Sequence, residues 1–242
     1  MKSQDILLLL KLVSLSDQDR PAAYSISAQP NTQPNAQPSI EEVDSPHGEP
    51  ARKSTVLHVN EPRHMLQATF LPTTADQYTV RSLALVTGIS KSQVSLSLAR
   101  CYESRLARPD RQNNAAQVPE VNRRALCEFL VHGVKYVFPV RLGGRTRGIP
   151  TAWAAPVLQG KLLAGDTAPP VWPDAGDPDN AVMGFALEPI YKSVPYAVKH
   201  GSQKDERLYA LLALVDSIRI GGARERAIAT DLLAKMLGGV GV

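Results

Sequence analysis

The chain has 242 residues, 43% of them hydrophobic, which is enough for one large or two small domains with ordinary cores. Its two cysteines lack a CxxC spacing and its five histidines are scattered, so we expect no disulfide framework, no metal site and no cofactor. The net charge is +4, but residues 76–147 contain twelve Lys or Arg against five Asp or Glu. That third of the chain is expected to face a polyanion, with a solvated basic surface as the alternative.

Residues 3–15 predict a first helix, with Ser3 as its N-cap and apolar residues on most faces, as in a helix buried inside a domain. The uninterrupted apolar run, residues 6–10, is far shorter than the roughly 20 residues that cross a bilayer. We therefore expect a cytoplasmic protein without membrane contacts.

Residues 16–75 are predicted to form a disordered or loosely ordered insertion, because residues 17–62 contain seven prolines, a Gln-Pro-Asn repeat and no Phe or Trp.

Two consecutive helices are predicted between residues 79 and 105. Thr79 caps the first helix, and Gly88 ends it where a left-handed backbone is needed. Ser90 opens the second helix, and Gln93 three residues later completes a capping box. The inner face of the second helix consists of Val94, Leu98 and Cys101.

The other residues of the second helix are polar or basic, and are predicted to lie outward or at its edges. A helix in the major groove needs such side chains, because it presents donors and acceptors to base edges while neighbouring cations bind phosphates. The residues that we assign to DNA binding on the two helices are Arg81, Lys91, Ser92, Gln93, Ser95, Ser97 and Arg100.

The spacing of Ala84, Gly88 and Val94 resembles the helix-turn-helix signature, and residues 87–95 resemble the turn and recognition helix of winged-helix regulators such as the MarR group. The resemblance covers about 27 residues, or about a tenth of the chain. It implies a prokaryotic transcriptional regulator that binds double-stranded DNA sequence-specifically. The alternative is a helical hairpin used only for packing or protein contact.

Residues 106–118 are turn-rich, with apolar ends and a polar middle, and are interpreted as a β-hairpin wing. In winged-helix proteins that hairpin lies against the DNA backbone, which makes Arg108 and Arg111 phosphate contacts. The strands are poor in β-branched residues, and Pro109 and Pro119 stand where ladder bonds are expected. A plain loop is therefore the alternative.

A further helix over residues 123–137 begins after Asn122 and is stopped by Pro139. It completes a winged helix-turn-helix domain over residues 76–139, to which residues 1–15 contribute the first helix. Residues 140–192 predict loops and short strands, because they are rich in Gly and Pro. They include a flexible basic loop, residues 141–148, that is either a contact to DNA or to a partner, or ordinary surface.

Residues 206–237 predict two helices joined near Gly221 and Gly222, with Asp216 and Arg219 paired on the helix surface. The fold class is thus mainly α with minor β structure, and residues 140–242 form a C-terminal, mostly helical domain with dimer or partner contacts. A homodimer is favoured, because two-fold assemblies match palindromic operators.

No paired carboxylates, nucleophile with a base or metal cluster are recognisable in the sequence, so we predict a binding protein rather than an enzyme. The predicted function is a transcriptional regulator associated with the nucleoid. The alternative is an antitoxin or adaptor, encoded beside a toxin or defence enzyme. Residues 140–242 would then bind that partner, and DNA binding would only regulate the protein's own synthesis.

Overall fold

The computed structural model describes residues 1–19, 74–109, 118–162, 168–174, 181–199 and 204–238. These residues form a mainly helical fold with two small sheets, as predicted, and all of them belong to one compact unit of the chain. Across these ranges, no helix has both the length and the hydropathy needed to span a membrane. Most of the predicted insertion, residues 20–73, lies outside the described residues.

Helix α1 (Ser3–Gln18) lies in the centre of the fold. Residues 6–10 are fully buried, because apolar side chains occupy all faces of the helix rather than one stripe. The next two helices, α2 (Val80–Thr87) and α3 (Lys91–Glu103), both contact α1. The N-cap of α1 is Lys2 rather than Ser3, and the Lys2 N–H donates to the Asp5 carboxylate at 2.7 Å.

Strands β1 (Ala107–Pro109) and β2 (Pro119–Val121) follow α3 and pair antiparallel, with Arg108 opposite Glu120. The strand pairing predicted for a wing is therefore present, but the second strand begins at Pro119, beyond the predicted range. Pro109 and Pro119 face each other at the end of the described ladder, where a missing N–H costs least.

Helix α4 (Arg123–His132) begins as predicted, because the Asn122 side chain accepts a hydrogen bond from the Ala125 N–H at 3.1 Å. The prediction of a single helix over residues 123–137 is wrong in one respect. It is interrupted at Gly133, and the short helix α5 (Val134–Val137) continues the chain.

Three further strands form a closed sheet: β3 (Leu142–Pro150), β4 (Pro170–Pro173) and β5 (Val182–Leu187). Strand β3 is antiparallel to both others, and β4 is parallel to β5. The prediction of a flexible loop at residues 141–148 is wrong, because nearly all of this segment lies in β3. Gly148 lets strands β3 and β4 approach each other closely, since a Cβ there would lie 1.9 Å from the Trp172 carbonyl oxygen.

The C-terminal part contains α6 (Val194–Lys199), α7 (Glu206–Ile220) and α8 (Ala223–Met236). The two predicted terminal helices are present, joined at Gly221 and Gly222 as expected. Helix α7 is buried on nearly all sides and contacts α1, α4, α5, α6 and α8.

The predicted surface pair on α7 is instead buried. The side chains of Asp216 and Arg219 are only 2% and 4% exposed, with 2.7 Å between carboxylate and guanidinium. Asp216 also accepts hydrogen bonds from the Trp172 indole at 2.6 Å and the Thr151 hydroxyl at 3.0 Å. Arg219 donates to the carbonyl oxygens of Phe138 and Glu188. One charged pair thereby joins α7 to β4 and to the chain flanking α5 and β5.

Candidate nucleic-acid interface

Helices α2 and α3 are joined by a short turn at the residues predicted for it. The Thr79 hydroxyl oxygen accepts from the Ser82 N–H at 3.2 Å and caps α2. Gly88 ends α2 with φ +67° and ψ +16°, the left-handed conformation that favours glycine. Ser90 is the N-cap of α3, with an extended backbone. The predictions for Thr79 and Gly88 are confirmed.

The first half of α3 presents an exposed polar face. Lys91, Ser92 and Ser95 are exposed, and the Ser95 hydroxyl donates to the Lys91 carbonyl oxygen at 3.2 Å. Leu96, 52% exposed, lies on the same side of the helix. The sequence analysis did not include Leu96 in the exposed face, because an apolar residue on a helix is usually expected in the core. Its spacing of four from Ser92 is the signal that places it on the exposed face.

Three of the predicted DNA-binding side chains of α3 contact α1 instead. Ser97 is fully buried, and its hydroxyl oxygen accepts from the Gln4 amide at 3.2 Å. The same Gln4 amide donates to Gln93 at 2.7 Å, so the predicted capping box is not formed. Arg100 is half-buried and pairs with Asp5. The expectation that Ser97 lies outward or at the edge of α3 is wrong, because this residue is fully buried against α1. Gln93 and Arg100 are partly buried and lie at the edge of α3 as expected, but polar residues of α1 contact them.

The Arg100–Asp5 pair is a bidentate fork. The guanidinium Nε and Nη2 donate to the two carboxylate oxygens at 2.9 Å and 2.6 Å, and the Asp5 side chain is 0% exposed. Burial alone would raise the pKa of Asp5, but hydrogen bonds from Arg100, the Lys2 N–H and Ser97 outweigh it and lower that pKa. The hydrogen bond to Asp5 likewise raises the pKa of Arg100. Both groups are therefore charged at neutral pH and fix α3 against α1.

Burial raises the pKa of Cys101, on the inner face of α3, to about 12, so this thiol is protonated and unreactive at neutral pH. Nowhere in the described ranges are three or more His, Cys, Asp or Glu side chains grouped as metal ligands.

The remaining predicted phosphate contacts lie outside α3. Arg81, in the first turn of α2, is exposed. Arg108, on β1, is also exposed, and its Nε donates to the Glu120 carboxylate at 2.8 Å. A phosphate that binds Arg108 therefore has to compete with Glu120. Arg111 lies outside the described residues.

Helix α6 supports the turn between α2 and α3. The Ser193 hydroxyl donates to the Thr87 carbonyl oxygen at 2.6 Å, and the Tyr196 hydroxyl donates to the Leu85 carbonyl oxygen at 2.9 Å. These bonds satisfy carbonyl groups that the end of a helix leaves without intrahelical partners. The Tyr196 ring lies so close that a Cβ on Gly88 would come within 2.9 Å of it.

Replacing Gly88 with alanine is expected to destabilise the protein by about 2 kcal/mol, because the left-handed backbone and the Tyr196 contact both oppose a Cβ. Chemical denaturation of the two proteins measures this difference. Gly144→Ala is the matched control, since Gly144 has no positive φ and a Cβ there would meet no atom within 4 Å. Equal effects of the two substitutions would contradict the structural role of Gly88.

The chain matches no protein-family model, no curated protein and no solved structure.

Proposed function

We propose that the chain is a sequence-specific DNA-binding protein that regulates transcription, with α3 as the recognition helix in the major groove. The observation that carries the proposal is the exposed face of α3, where Lys91, Ser92 and Ser95 project from the protein directly after a left-handed glycine turn. An inert helical hairpin has no need of hydroxyl and ammonium groups on this face.

The neighbouring elements support this proposal. Helix α1 packs behind α3, and the β1–β2 pair follows α3 in the order expected of a wing. Leu96 extends the exposed face with an apolar side chain, which suits contact with the methyl group of thymine. The Ser95 hydroxyl already donates its proton within the helix, so its lone pairs are left to accept from an amino group of adenine or cytosine.

We further propose that the protein acts as a homodimer, located with the DNA of the nucleoid. Two copies related by a two-fold axis would place two α3 helices on the half-sites of a palindromic operator and double the phosphate contacts. Light scattering of the free protein and of its DNA complex would measure the number of copies. A complex with one chain per duplex would contradict the dimer.

Two substitutions on α3 are expected to weaken DNA binding in different ways. Lys91→Ala should weaken binding to every duplex and reduce the slope of log affinity against log salt by about 1, because it removes one phosphate contact. Ser95→Ala should leave the slope unchanged and reduce the preference for the cognate duplex by about 1 kcal/mol, because it removes a base contact. Gel-shift titrations at two salt concentrations measure both quantities.

The two probes are a duplex that the purified protein retains from fragments of its own genome and a shuffled duplex of the same composition. Lys235→Ala, on the exposed side of α8, is the control for the loss of one charge. Equal affinity of the unaltered protein for both duplexes would rule out sequence-specific binding. An effect of Lys235→Ala equal to that of Lys91→Ala would rule out a contact at α3.

A further inference from the structure

Strand β3 and the residue before it carry three exposed arginines, Arg141, Arg145 and Arg147. Among the described residues, no hydrogen bond or ion pair engages any of these guanidinium groups. The cross-strand neighbours of two of them are apolar, since Arg145 lies opposite Phe185 and Arg147 lies opposite Met183. The apolar neighbours can cover the methylene stems of the arginines while the charged ends stay in solvent.

The strand is irregular between the first two arginines. Leu142 pairs with Leu187 and Arg145 pairs with Phe185, so Gly143 and Gly144 together oppose a single residue of β5. This is a β-bulge, which leaves one residue outside the ladder and turns its backbone groups away from the partner strand. A Cβ on Gly144 would meet no atom within 4 Å, so the space beside the bulge is open.

The outer edge of β3 is also accessible. Residues 142–148 pair with β5 on one side, whereas β4, the other strand that pairs with β3 in the described chain, does so only from Gly148 to Pro150. Along residues 142–146, therefore, alternate backbone N–H groups point away from both strands, whereas the Arg147 carbonyl oxygen accepts from the Asp174 N–H at 3.4 Å. Glycines in a strand mark places where a ligand or another backbone comes close, and N–H groups beside arginines form a site for an anion.

We propose that this surface, which consists of Arg141, Gly143, Gly144, Arg145 and Arg147, binds phosphate groups of duplex DNA outside the base pairs that α3 contacts. Planar guanidinium groups bind phosphate oxygens in pairs, and Arg145 and Arg147 point to one side of the strand about 7 Å apart. The surface does not distinguish between base sequences, but it enlarges the contact between the protein and the duplex. The inference rests on the proposed function, since it takes the same DNA as its ligand.

Replacing the three arginines with glutamine is expected to reduce the slope of log affinity against log salt by about 2 to 3, measured on the shuffled duplex, because each phosphate contact contributes about 0.9. The preference for the cognate duplex should stay unchanged. The control removes three charges elsewhere through Lys161→Gln, Arg224→Gln and Lys235→Gln, all of them exposed residues outside β3 and β5. Circular dichroism establishes that both triple variants are folded.

Gly144→Val tests the close approach of the duplex separately from charge. The open space around Gly144 lets the variant fold normally, but the new side chain would hold the DNA backbone away from the bulge and weaken binding several-fold. An unchanged salt slope in the arginine variant overturns the proposal. Unaltered affinity of Gly144→Val overturns the contact at the bulge.

The two proposals fail in distinguishable ways. Equal affinity for the cognate and shuffled duplexes, with a reduced slope in the arginine variant, contradicts only the sequence-specific reading by α3. A clear preference for the cognate duplex, with the same slope in both triple variants, contradicts only the phosphate surface on β3. No binding of the unaltered protein to either duplex contradicts both.

Discussion

Arg100→Met is expected to lower the free energy of unfolding by about 3–5 kcal/mol, because it leaves the Asp5 carboxylate without its counter-charge in the interior. The Asp5 side chain is 0% exposed, so water cannot replace the two hydrogen bonds that Arg100 donates. Urea denaturation followed by circular dichroism measures the loss. The matched control is Arg108→Met, which breaks the ion pair with Glu120 between side chains that are 74% and 52% exposed.

The control substitution should have little effect, because an exposed ion pair is screened by water. A double variant, Asp5→Leu with Arg100→Met, should recover much of the lost stability, since replacing both partners removes the buried charge. Similar denaturation midpoints for Arg100→Met and Arg108→Met would contradict the buried fork.

The same pair makes stability depend on pH in a defined direction. Because the pKa of Asp5 is lowered in the folded state, the pair stabilises the protein fully above about pH 4, the ordinary range for an aspartate. The contribution is lost as the pH falls through the lowered pKa. The difference in stability between the unaltered protein and the double variant should therefore change only in acid.

Asp216→Ala is expected to lower the free energy of unfolding by about 3–5 kcal/mol as well, through a different part of the fold. It leaves the buried Arg219 guanidinium without a counter-charge and the Trp172 indole N–H without its acceptor. Thermal or urea denaturation measures the loss. In a Trp153→Phe background, the fluorescence of Trp172, which is 1% exposed, reports on its surroundings.

Asp216→Asn is the intermediate variant for this network, because an amide oxygen can still accept from Trp172 while the charge is lost. Its effect should lie between those of the unaltered protein and Asp216→Ala. A stability of Asp216→Ala within about 1 kcal/mol of the unaltered protein would show that the network contributes little.

Local signals were sufficient for several caps and turns, although the N-cap predicted at Ser3 and the capping box predicted for Ser90 and Gln93 are not formed. The caps at Thr79 and Asn122 and the left-handed turn at Gly88 were predicted from residue type and position, and all three are present. The joint at Gly221 and Gly222 was found in the same way. Each of these features depends on backbone conformation or on a hydrogen bond between residues close in sequence, so distant parts of the chain do not alter it.

Predictions failed where a distant element decides which side of a helix is buried. Ser97 looks like part of the outer face of α3 because it is polar, but Gln4, more than 90 residues earlier, supplies a partner that it meets in the interior. A signal was present in the sequence, since Gln4 and Asp5 are polar residues directly before the apolar run of residues 6–10. Nothing local indicates which later residues they meet.

The same limit applies in the C-terminal part. The segment of β3 was predicted to be a loop because it is rich in glycine, which has a low strand propensity, whereas its pairing with β5, about 40 residues later, determines its conformation. Asp216 and Arg219 were placed on a helix surface because charged residues three apart are usually exposed there. They are buried because other elements surround α7 on nearly all sides.

The central position of α7 would make the proposed regulation depend on the stability of the whole fold. Since α7 contacts α1 on one side and α5, α6 and α8 on others, the elements that hold α3 and the C-terminal elements should melt in one all-or-none transition. Inherited changes near Trp172 that leave the proposed DNA contacts intact would then act by reducing the number of folded molecules in the cell. Each 1.4 kcal/mol lost from an already marginal variant would leave about a tenth as many copies folded relative to unfolded. Under the proposed function, target genes would respond to such an allele as they would to a smaller dose of the gene itself.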